Sequence, residues 1–304
     1  MKIRVLGAAA GGGFPQWNCN CDNCRRLRAG AIQATPRTQS SIALSSDGES
    51  WVLVNASPDL PQQLKSFPAL QPARAIRDSA IAAIVLVDAQ LDHTLGLLTL
   101  REGSPLQVWC TERVFEELTH SHPILPILQH YCGFDWRRIA IDPARGFGIE
   151  ALAGVELEAI TVRGNAPPFS PRRDRPEPGD NIALWLRDER TGKTLLYAPG
   201  LGQIEPALRP ILERADVLLV DGTFWTDDEL IRLGVSKRSA REMGHLPQTG
   251  EGGMLEALEP LSASRKILIH INNTNPILDE ASPERRRLDK AGIEVAFDGM
   301  ELEI

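Results

Sequence analysis

The stretch that most constrains the fold is residues 85–98, which read VLVDAQLDHTLGLL. Its apolar, β-branched beginning predicts a strand, its acidic middle predicts a turn, and its Leu-rich end predicts a helix. Asp92 and His93 lie side by side in the turn. A carboxylate and an imidazole at the end of a buried strand are groups that metal ions use as ligands. The stretch therefore predicts a metal-binding loop between a strand and a helix.

A further candidate ligand lies near the end of the chain. His270 follows the short apolar run KILI and opens the polar run HINNTNP, in which Pro276 marks an abrupt exit from the strand. If Asp92, His93 and His270 meet, one carboxylate and two imidazoles face a metal and leave positions open opposite them. That ligand set is associated with non-haem Fe(II) oxygen chemistry, so we expect Fe²⁺, although zinc, copper and manganese accept the same ligands.

Three cysteines form a second candidate metal site. Cys19, Cys21 and Cys24 supply three thiols within the Gly-rich N-terminal loop, and this spacing is typical of a structural zinc ion whose fourth ligand comes from elsewhere in the fold. Disulfides are the rival explanation. An odd cluster of cysteines without a secretion signal argues against them. Cys110 and Cys132 stand alone in apolar surroundings and are interpreted as buried free thiols.

Short apolar runs alternate with helical stretches along the whole chain. Length and β-branched content predict strands at KIRVLG, SSIALSS, SWVLVNA, AAIVLVD, LQVWC, VELEAITV, NIALWLRD, KTLLYAP, DVLLVDGTF, RKILIHI and IEVAFDG. Helices are predicted near 205–214, 227–233 and 250–258. Two β-rich halves flanked by helices predict an α/β protein, a four-layer αβ/βα sandwich in one domain over 1–304. Residues 167–181, rich in proline and charge, predict a mobile surface loop or lid.

Composition excludes several classes of partner. The net charge is −7 and the lysines and arginines are scattered, so the chain has no basic stripe that would bind nucleic acid. The start, MKIRVLGAAAGGGF, predicts a first strand and a turn rather than a signal peptide. No apolar run approaches the length that spans a membrane, so we expect no membrane partner and a cytoplasmic protein. The oligomeric state stays open, with a homodimer among the options.

The metal loop resembles the signature of the metallo-β-lactamase superfamily, His-x-His-x-Asp-His before a Gly-containing helix. Asp92 and His93 match that signature, whereas the first two histidines are replaced by Asp88 and Gln90. The superfamily's mid-chain metal histidine and bridging aspartate would be expected near VRGNAP and YAPGLG, where neither residue type occurs. The resemblance therefore implies the superfamily fold without the two-metal hydrolytic centre, with Asp88 and Gln90 shaping the vacated first-metal site.

Other loops of the superfamily are also matched. The resemblance places Asp221 and Thr223 of LVDGTFW at the site, and it gives His245 of MGHLP a proton relay with Asp221. Asp59 of VNASPDL is a candidate substrate or supporting group, or simply a turn residue. A related phosphodiesterase branch has a histidine where this chain has Asn273. The fourth zinc ligand is therefore open between Asn273, His270 and a water molecule.

Taken together, GGGFPQWNCNCDNC, DAQLDHTLGLLTLREG, LLYAPGL, LVDGTFW, MGHLP and HINNTNP resemble the coenzyme PQQ synthesis protein B family over essentially the whole chain. The resemblance implies a role in making pyrroloquinoline quinone (PQQ) from a precursor peptide whose cross-linked Glu and Tyr become the cofactor. It implies either an iron-dependent hydroxylation of the tyrosine ring with O₂ as co-substrate, or a non-catalytic carrier that binds PQQ and assists its transport to the periplasm. A residual esterase or phosphodiesterase is a third alternative.

The residues favour the hydroxylase, because a carboxylate and two imidazoles around an open metal suit O₂ activation. In that interpretation Asp92, His93 and His270 hold the metal, and Asp221 or His245 places the phenol and moves its proton. The cations that recognise the acidic groups of the substrate are not identified by the sequence. Three arginine and lysine residues in suitable loops are candidates, namely Arg37, Arg163 and Lys237.

Overall fold

A computed structural model describes residues 1–142, 146–263 and 265–304. The strands are β1 Lys2–Gly7, β2 Ser41–Ser45, β3 Trp51–Val54, β4 Ile81–Val85, β5 Leu106–Cys110, β6 Phe134–Arg138, β7 Val155–Thr161, β8 Ile182–Asp188, β9 Thr194–Ala198, β10 Val217–Asp221, β11 Arg265–Ile269, β12 Ile293–Val295 and β13 Glu301–Glu303. The α-helices are α1 Asp22–Arg28, α2 Leu60–Ser66, α3 Leu91–Thr94, α4 Glu112–Glu116, α5 Ile124–Gln129, α6 Arg209–Arg214, α7 Glu229–Arg232, α8 Met254–Leu258 and α9 Pro283–Lys290. A π-helical turn, Glu117–Ser121, continues α4.

Within these described residues the strands form two sheets. The first has the order β13-β1-β2-β3-β4-β5-β6 and the second the order β12-β11-β10-β9-β8-β7. Strands β3 to β6 run parallel, as do β9 to β12. Parallel neighbours end at the same edge of a sheet, and in the second sheet Asp221 pairs with Ile269, the residue before His270. The loops that carry the predicted site residues therefore meet at one edge of the molecule.

Alternate side chains along each strand pack on opposite faces of the sheets, which gives the layered arrangement. In β9 to β11, Tyr197, Leu219 and Ile267 belong to the cluster between the two sheets, together with residues of β1 to β4. The intervening residues of the same strands, among them Leu218 and Leu268, pack against the helices on the outer face. Successive side chains point to opposite faces of a strand, so each sheet is buried on both sides. The predicted four-layer αβ/βα sandwich is confirmed.

The predicted helices are shorter than expected. The helix predicted near 205–214 begins only at Arg209, with Pro210 in its first turn, where the missing N–H is tolerated. The helix predicted near 250–258 begins at Met254, because Gly250 and Gly252 adopt positive φ angles of 94° and 63° and form turns. The helix predicted near 227–233 covers only Glu229–Arg232. Strands β6 and β13 were not predicted at all.

Residues 167–181 form a loop without a helix or strand, at the edge where the metal loop lies. Ser170 Oγ donates to Glu117 Oε1, and the Arg172 guanidinium pairs with Glu117 at 2.9 Å and with Asp180 at 3.3 Å. The loop is thus anchored to the turn after α4, and its mobility stays a prediction. In the described part of the chain, no helix is both long and apolar enough to cross a membrane.

At the opposite edge, a buried ion pair ties the two sheets together. The amino group of Met1 lies 2.5 Å from Asp188 Oδ2 and donates to Ile304 O at 2.6 Å, and both ionic groups are fully buried. Arg190 donates to the same carboxylate. Burial raises the pKa of Asp188, but the hydrogen bonds from Arg190 and the Met1 amino group outweigh this effect. The pKa of Asp188 therefore lies well below its usual range.

Candidate metal centre

The predicted ligands meet where the parallel strands end. Asp92 and His93 lie in the first turn of α3, directly after the loop that follows β4. His270 is the first residue after β11. One potential ligand atom from each of these three residues lies within 4.8 Å of the others. His270 Nε2 is 3.2 Å from Asp92 Oδ2, and the ring centroids of His93 and His270 are 5.2 Å apart.

His93 has the geometry of a metal ligand. Its ring is buried, and its Nδ1 lies 2.8 Å and 2.9 Å from the two carboxylate oxygens of Asp88. Since an ionised carboxylate only accepts hydrogen bonds, this contact assigns the proton to Nδ1 in the neutral ring and leaves the lone pair on Nε2. Among the described residues, His93 Nε2 is a buried nitrogen with no hydrogen-bond partner. A carboxylate behind a metal-binding histidine is the usual device for fixing its tautomer.

His270 is held by its backbone. It has a φ angle of 60°, a left-handed conformation that costs energy for a residue with a side chain. The residues on both sides are held by the segments directly after β10 and β1, because Gly222 N donates to Ile269 O at 2.7 Å and Ile271 N donates to Ala8 O at 2.9 Å. The strained conformation turns the imidazole of His270 toward Asp92.

A second group of side chains continues from His270. The Thr223 hydroxyl lies 2.6 Å from Asp221 Oδ1, 2.9 Å from His270 Nδ1 and 3.1 Å from His245 Nδ1. His245 Nδ1 also lies 2.7 Å from Asp221 Oδ2. Asp221 is fully buried, whereas the side chain of His245 is 20% exposed. The structure therefore brings Asp221, Thr223 and His245 beside the candidate ligands, and their roles in proton transfer stay a prediction.

The electrostatics of the cluster favour a bound cation. Asp88, Asp92 and Asp221 place three carboxylates in a largely buried space. Burial lowers the pKa of His93, but the charges of Asp88 and Asp92 outweigh it and raise that pKa to about 9. Burial likewise lowers the pKa of His245, and Asp221 raises it above its usual value. The imidazoles thus gain protons that balance the carboxylates, and a divalent cation would replace such protons. The residues present fit a metal ion.

The cysteine cluster also fits a metal ion. The sulfur atoms of Cys19, Cys21 and Cys24 lie within 4.8 Å of one another. Asn273 points its carboxamide nitrogen at all three, at 3.0, 3.5 and 3.3 Å. Burial raises the pKa of Cys21 to about 12, because a buried thiolate is poorly solvated. A zinc ion bound to the sulfur would stabilise the thiolate and offset this penalty. His270 points into the other cluster and contacts Asp92, whereas Asn273 lies beside the three thiols and would offer zinc its carboxamide oxygen only with the amide group turned over.

Asp59, one of the predicted supporting residues, acts at a distance from the candidate metal ligands. Asp59 Oδ2 accepts hydrogen bonds from the backbone and the side chain of Gln39, both at 2.9 Å. Gln39 Oε1 in turn accepts from Gly12 N at 3.0 Å. The Gly-rich loop passes directly over Asp92, because a Cβ on Gly11 would lie 3.4 Å from Asp92 Oδ2. Asp59 therefore holds the Gly-rich loop that passes over Asp92, and among the described residues no hydrogen bond joins it to the candidate ligands.

Gln90 and Arg37 both donate to backbone carbonyls. Gln90 Nε2 donates to Asn165 O at 3.1 Å, so it ties the metal loop to the segment after β7. Arg37 is buried and donates to Ala296 O and Thr35 O, which makes it a structural residue rather than a substrate ligand. Arg163 and Lys237 are exposed. Sequence reasoning missed Gln39, whose isolated position in an irregular segment gave no signal.

The chain is similar to known proteins in both sequence and fold. Residues 50–271 match the family model described as Beta-lactamase superfamily domain. A diphosphatase from the PhnP family has a TM-score of 0.69 at 19% identity, covering 100% of this chain and 97% of that one, which shows the fold alone. The crystal structure of a Zn²⁺-bound PqqB from Methylobacterium extorquens has a TM-score of 0.89 at 36% identity, over 100% of both chains.

The curated relatives are more specific. Coenzyme PQQ synthesis protein B of Azoarcus sp. (strain BH72) is 60% identical over 306 aligned positions, covering 100% of both chains. The protein of the same name from Stutzerimonas stutzeri is 59% identical, also over 100% of both chains. The chain belongs to the coenzyme PQQ synthesis protein B family, as its motifs predicted.

Proposed function

We propose that this protein acts in PQQ synthesis as an iron-dependent hydroxylase, which adds oxygen from O₂ to the tyrosine ring of a cross-linked Glu-Tyr intermediate. The observation that carries the proposal is the unpartnered, buried Nε2 of His93, fixed by Asp88 and placed beside Asp92 and His270. Asp92, His93 and His270 would hold Fe²⁺ on one face. Iron bound there would supply the redox chemistry by which O₂ is reduced.

The chain's own residues account for orientation and proton transfer. Asp88 fixes the ring of His93, and the strained backbone at His270 fixes the other imidazole. His245 is the most exposed imidazole of the cluster and is paired with Asp221, so it is placed to accept the phenol proton of a bound substrate. Thr223 contacts both His245 and His270 and connects the proton-accepting group to the metal ligands.

A two-metal hydrolase is less well supported. Asp88 stands at the position of the first histidine of the hydrolase signature. Its carboxylate already accepts hydrogen bonds from His93 Nδ1 and from Gln90 N. The Gln90 side chain donates through Nε2 to Asn165 O, which leaves its Oε1 as the one atom that could reach an ion. These contacts leave few oxygen or nitrogen atoms for a second ion on that side.

The test is anaerobic reconstitution with Fe²⁺, followed by exposure to O₂ with an added reductant and the excised cross-linked Glu-Tyr diamino acid. Oxygen uptake and product mass are measured for the unmodified protein, for His93→Ala and for His130→Ala, which removes an exposed histidine far from the cluster. We expect a product with added oxygen for the unmodified protein and His130→Ala, and none for His93→Ala.

Three results would contradict the proposal. Undiminished hydroxylation by His93→Ala would show that His93 is not a ligand of the reactive metal. Tight binding of PQQ by the iron-loaded protein, without any oxygen uptake on this substrate, would favour the carrier function instead. Turnover of generic phosphodiesters without O₂ would favour the hydrolase.

A further inference from the structure

Two arginines flank the site on the side where Gln90 lies. Gln90 contacts Asn165 O, and Asn165 Nδ2 donates to Glu242 O at 2.8 Å. Arg238 Nη2 donates to that same carbonyl at 2.7 Å, and Arg173 Nη1 donates to the carbonyl of the residue that follows Asn165. Both guanidinium groups therefore lie around Asn165, between the metal loop and the loop that carries His245.

These two arginines keep hydrogen-bond donors free. An arginine has five N–H donors, and the contacts of Arg173 and Arg238 are with backbone carbonyls. Within the described ranges, neither forms an ion pair with a carboxylate. The neighbouring Arg172 differs, because it pairs with Glu117 and Asp180 and so anchors the loop. That anchor holds Arg173 in place at the rim of the site.

The pair carries positive charge that nearby groups do not neutralise. Burial lowers the pKa of Arg173, the charge of Arg238 lowers it further, and the exposed Asp174 opposes this only in part. The carboxylate of Glu242 is engaged by Ser239 N at 2.7 Å. A bound anion would stabilise two like charges held close together.

We propose that Arg173 and Arg238 bind carboxylate groups of the substrate, and so select an aromatic amino-acid derivative that carries several carboxylates. This inference rests on the proposed function and extends it from the metal to substrate recognition. Guanidinium groups bind carboxylates through paired, charge-assisted hydrogen bonds. The aromatic ring lies toward His245 and the metal ligands, while its carboxylates reach the arginine pair at the rim.

Binding rather than turnover is the primary test. The probes are PQQ, which is a tricarboxylate, and its uncharged trimethyl ester, titrated into the metal-loaded full chain. The variants are Arg173→Gln, Arg238→Gln and the double variant, with Arg175→Gln as a matched control on the same loop, because Arg175 is exposed. Arg238→Lys keeps the charge but loses the paired geometry. Thermal unfolding confirms that each variant is folded.

We expect PQQ binding to weaken on the order of tenfold in each single variant and further in the double variant. The affinity of Arg238→Lys for PQQ should lie between those of the unmodified protein and Arg238→Gln. Arg175→Gln should bind PQQ like the unmodified protein, and no variant should change the binding of the trimethyl ester. PQQ binding by the double variant equal to that of the unmodified protein would overturn the inference, and so would an equal loss in Arg175→Gln.

Oxygen uptake separates this inference from the proposed function. If the hydroxylation occurs, the double variant should raise KM and leave kcat little changed, because the arginines do not touch the reacting atoms. If no hydroxylation occurs but PQQ binding depends on both arginines, the proposed function fails and the inference stands.

Discussion

Replacing Asp88 with asparagine should weaken metal binding at His93, although Asp88 does not itself reach the metal. The perturbation removes one negative charge and keeps the size and the shape of the side chain. The carboxamide retains an oxygen that can accept from His93 Nδ1, so the ring should stay in place. The loss of affinity then reports the charge behind the ligand.

The magnitude follows from the 2.8 Å contact between Asp88 Oδ1 and His93 Nδ1. Adding about 2 Å for the ring and about 2 Å for the metal bond places a metal on Nε2 about 7 Å from the carboxylate. At an effective dielectric constant of about 20, a dication there gains about 5 kcal/mol from Asp88. A proton on Nε2, at about 6 Å, gains about 3 kcal/mol and must leave when the metal binds. The difference of about 2 kcal/mol corresponds to about 30-fold in affinity.

The assay is competition between the protein and a chromogenic chelator for Fe²⁺ under anaerobic conditions, after the cysteine cluster has been loaded with zinc. Asp135→Asn is the matched control, because Asp135 is exposed and pairs with a surface arginine. An affinity of Asp88→Asn within about threefold of the unmodified protein would refute the reasoning, since it would mean that the charge behind His93 is screened.

Three further outcomes are expected. Cys24→Ser should lose the structural zinc, measured as one fewer equivalent of zinc per chain, while Cys110→Ser should keep it. Burial raises the pKa of Glu229 to about 7 from its ordinary value of 4.5, so its ionisation destabilises the fold as the pH rises. Denaturation at pH 5 and pH 8 should therefore show that Glu229→Gln gains about 3 kcal/mol relative to the unmodified protein at the higher pH; an equal difference at both pH values would contradict this. Asp188→Asn should cost about 3–5 kcal/mol near neutral pH, because it leaves the charged Met1 amino group buried without a negatively charged partner. Since the pKa of Asp188 is lowered by folding, its contribution is present above its unfolded pKa and fades in acid, so a deficit that persists unchanged at low pH would contradict the assignment.

The sequence predicted the features that depend on local pattern. The alternation of apolar runs gave the sandwich, and the strand-turn-helix pattern at 85–98 gave the metal loop. The meeting of Asp92, His93 and His270 was a prediction from ligand type and family resemblance, and the structure places one potential ligand atom of each within 4.8 Å of the others. The resemblance to a family directed attention to Asn273, which the structure places against the three thiols.

The rest depends on contacts between residues far apart in the chain. Gln90 and Asn165 are separated by 75 residues, and Asn165 and Glu242 by 77. No periodicity marks such pairs, so the position of Arg173 and Arg238 beside the site was not predictable. The role of Asp88 was missed for a related reason. A superfamily pattern shows which ligand is absent, but it does not show that the replacing carboxylate turns toward His93.

Thr223 has one hydroxyl hydrogen, yet its oxygen has several close neighbours. At 2.6 Å from Asp221 Oδ1, that hydrogen goes to the carboxylate, and the two lone pairs then face His245 Nδ1 and His270 Nδ1. The ring of His270 must therefore carry hydrogen on Nδ1, which leaves its Nε2 to face Asp92. The Nδ1 proton of His245 has a second acceptor, Asp221 Oδ2 at 2.7 Å, so a threonine-to-valine change of nearly equal volume would release the tautomer of His270 and leave that of His245 fixed.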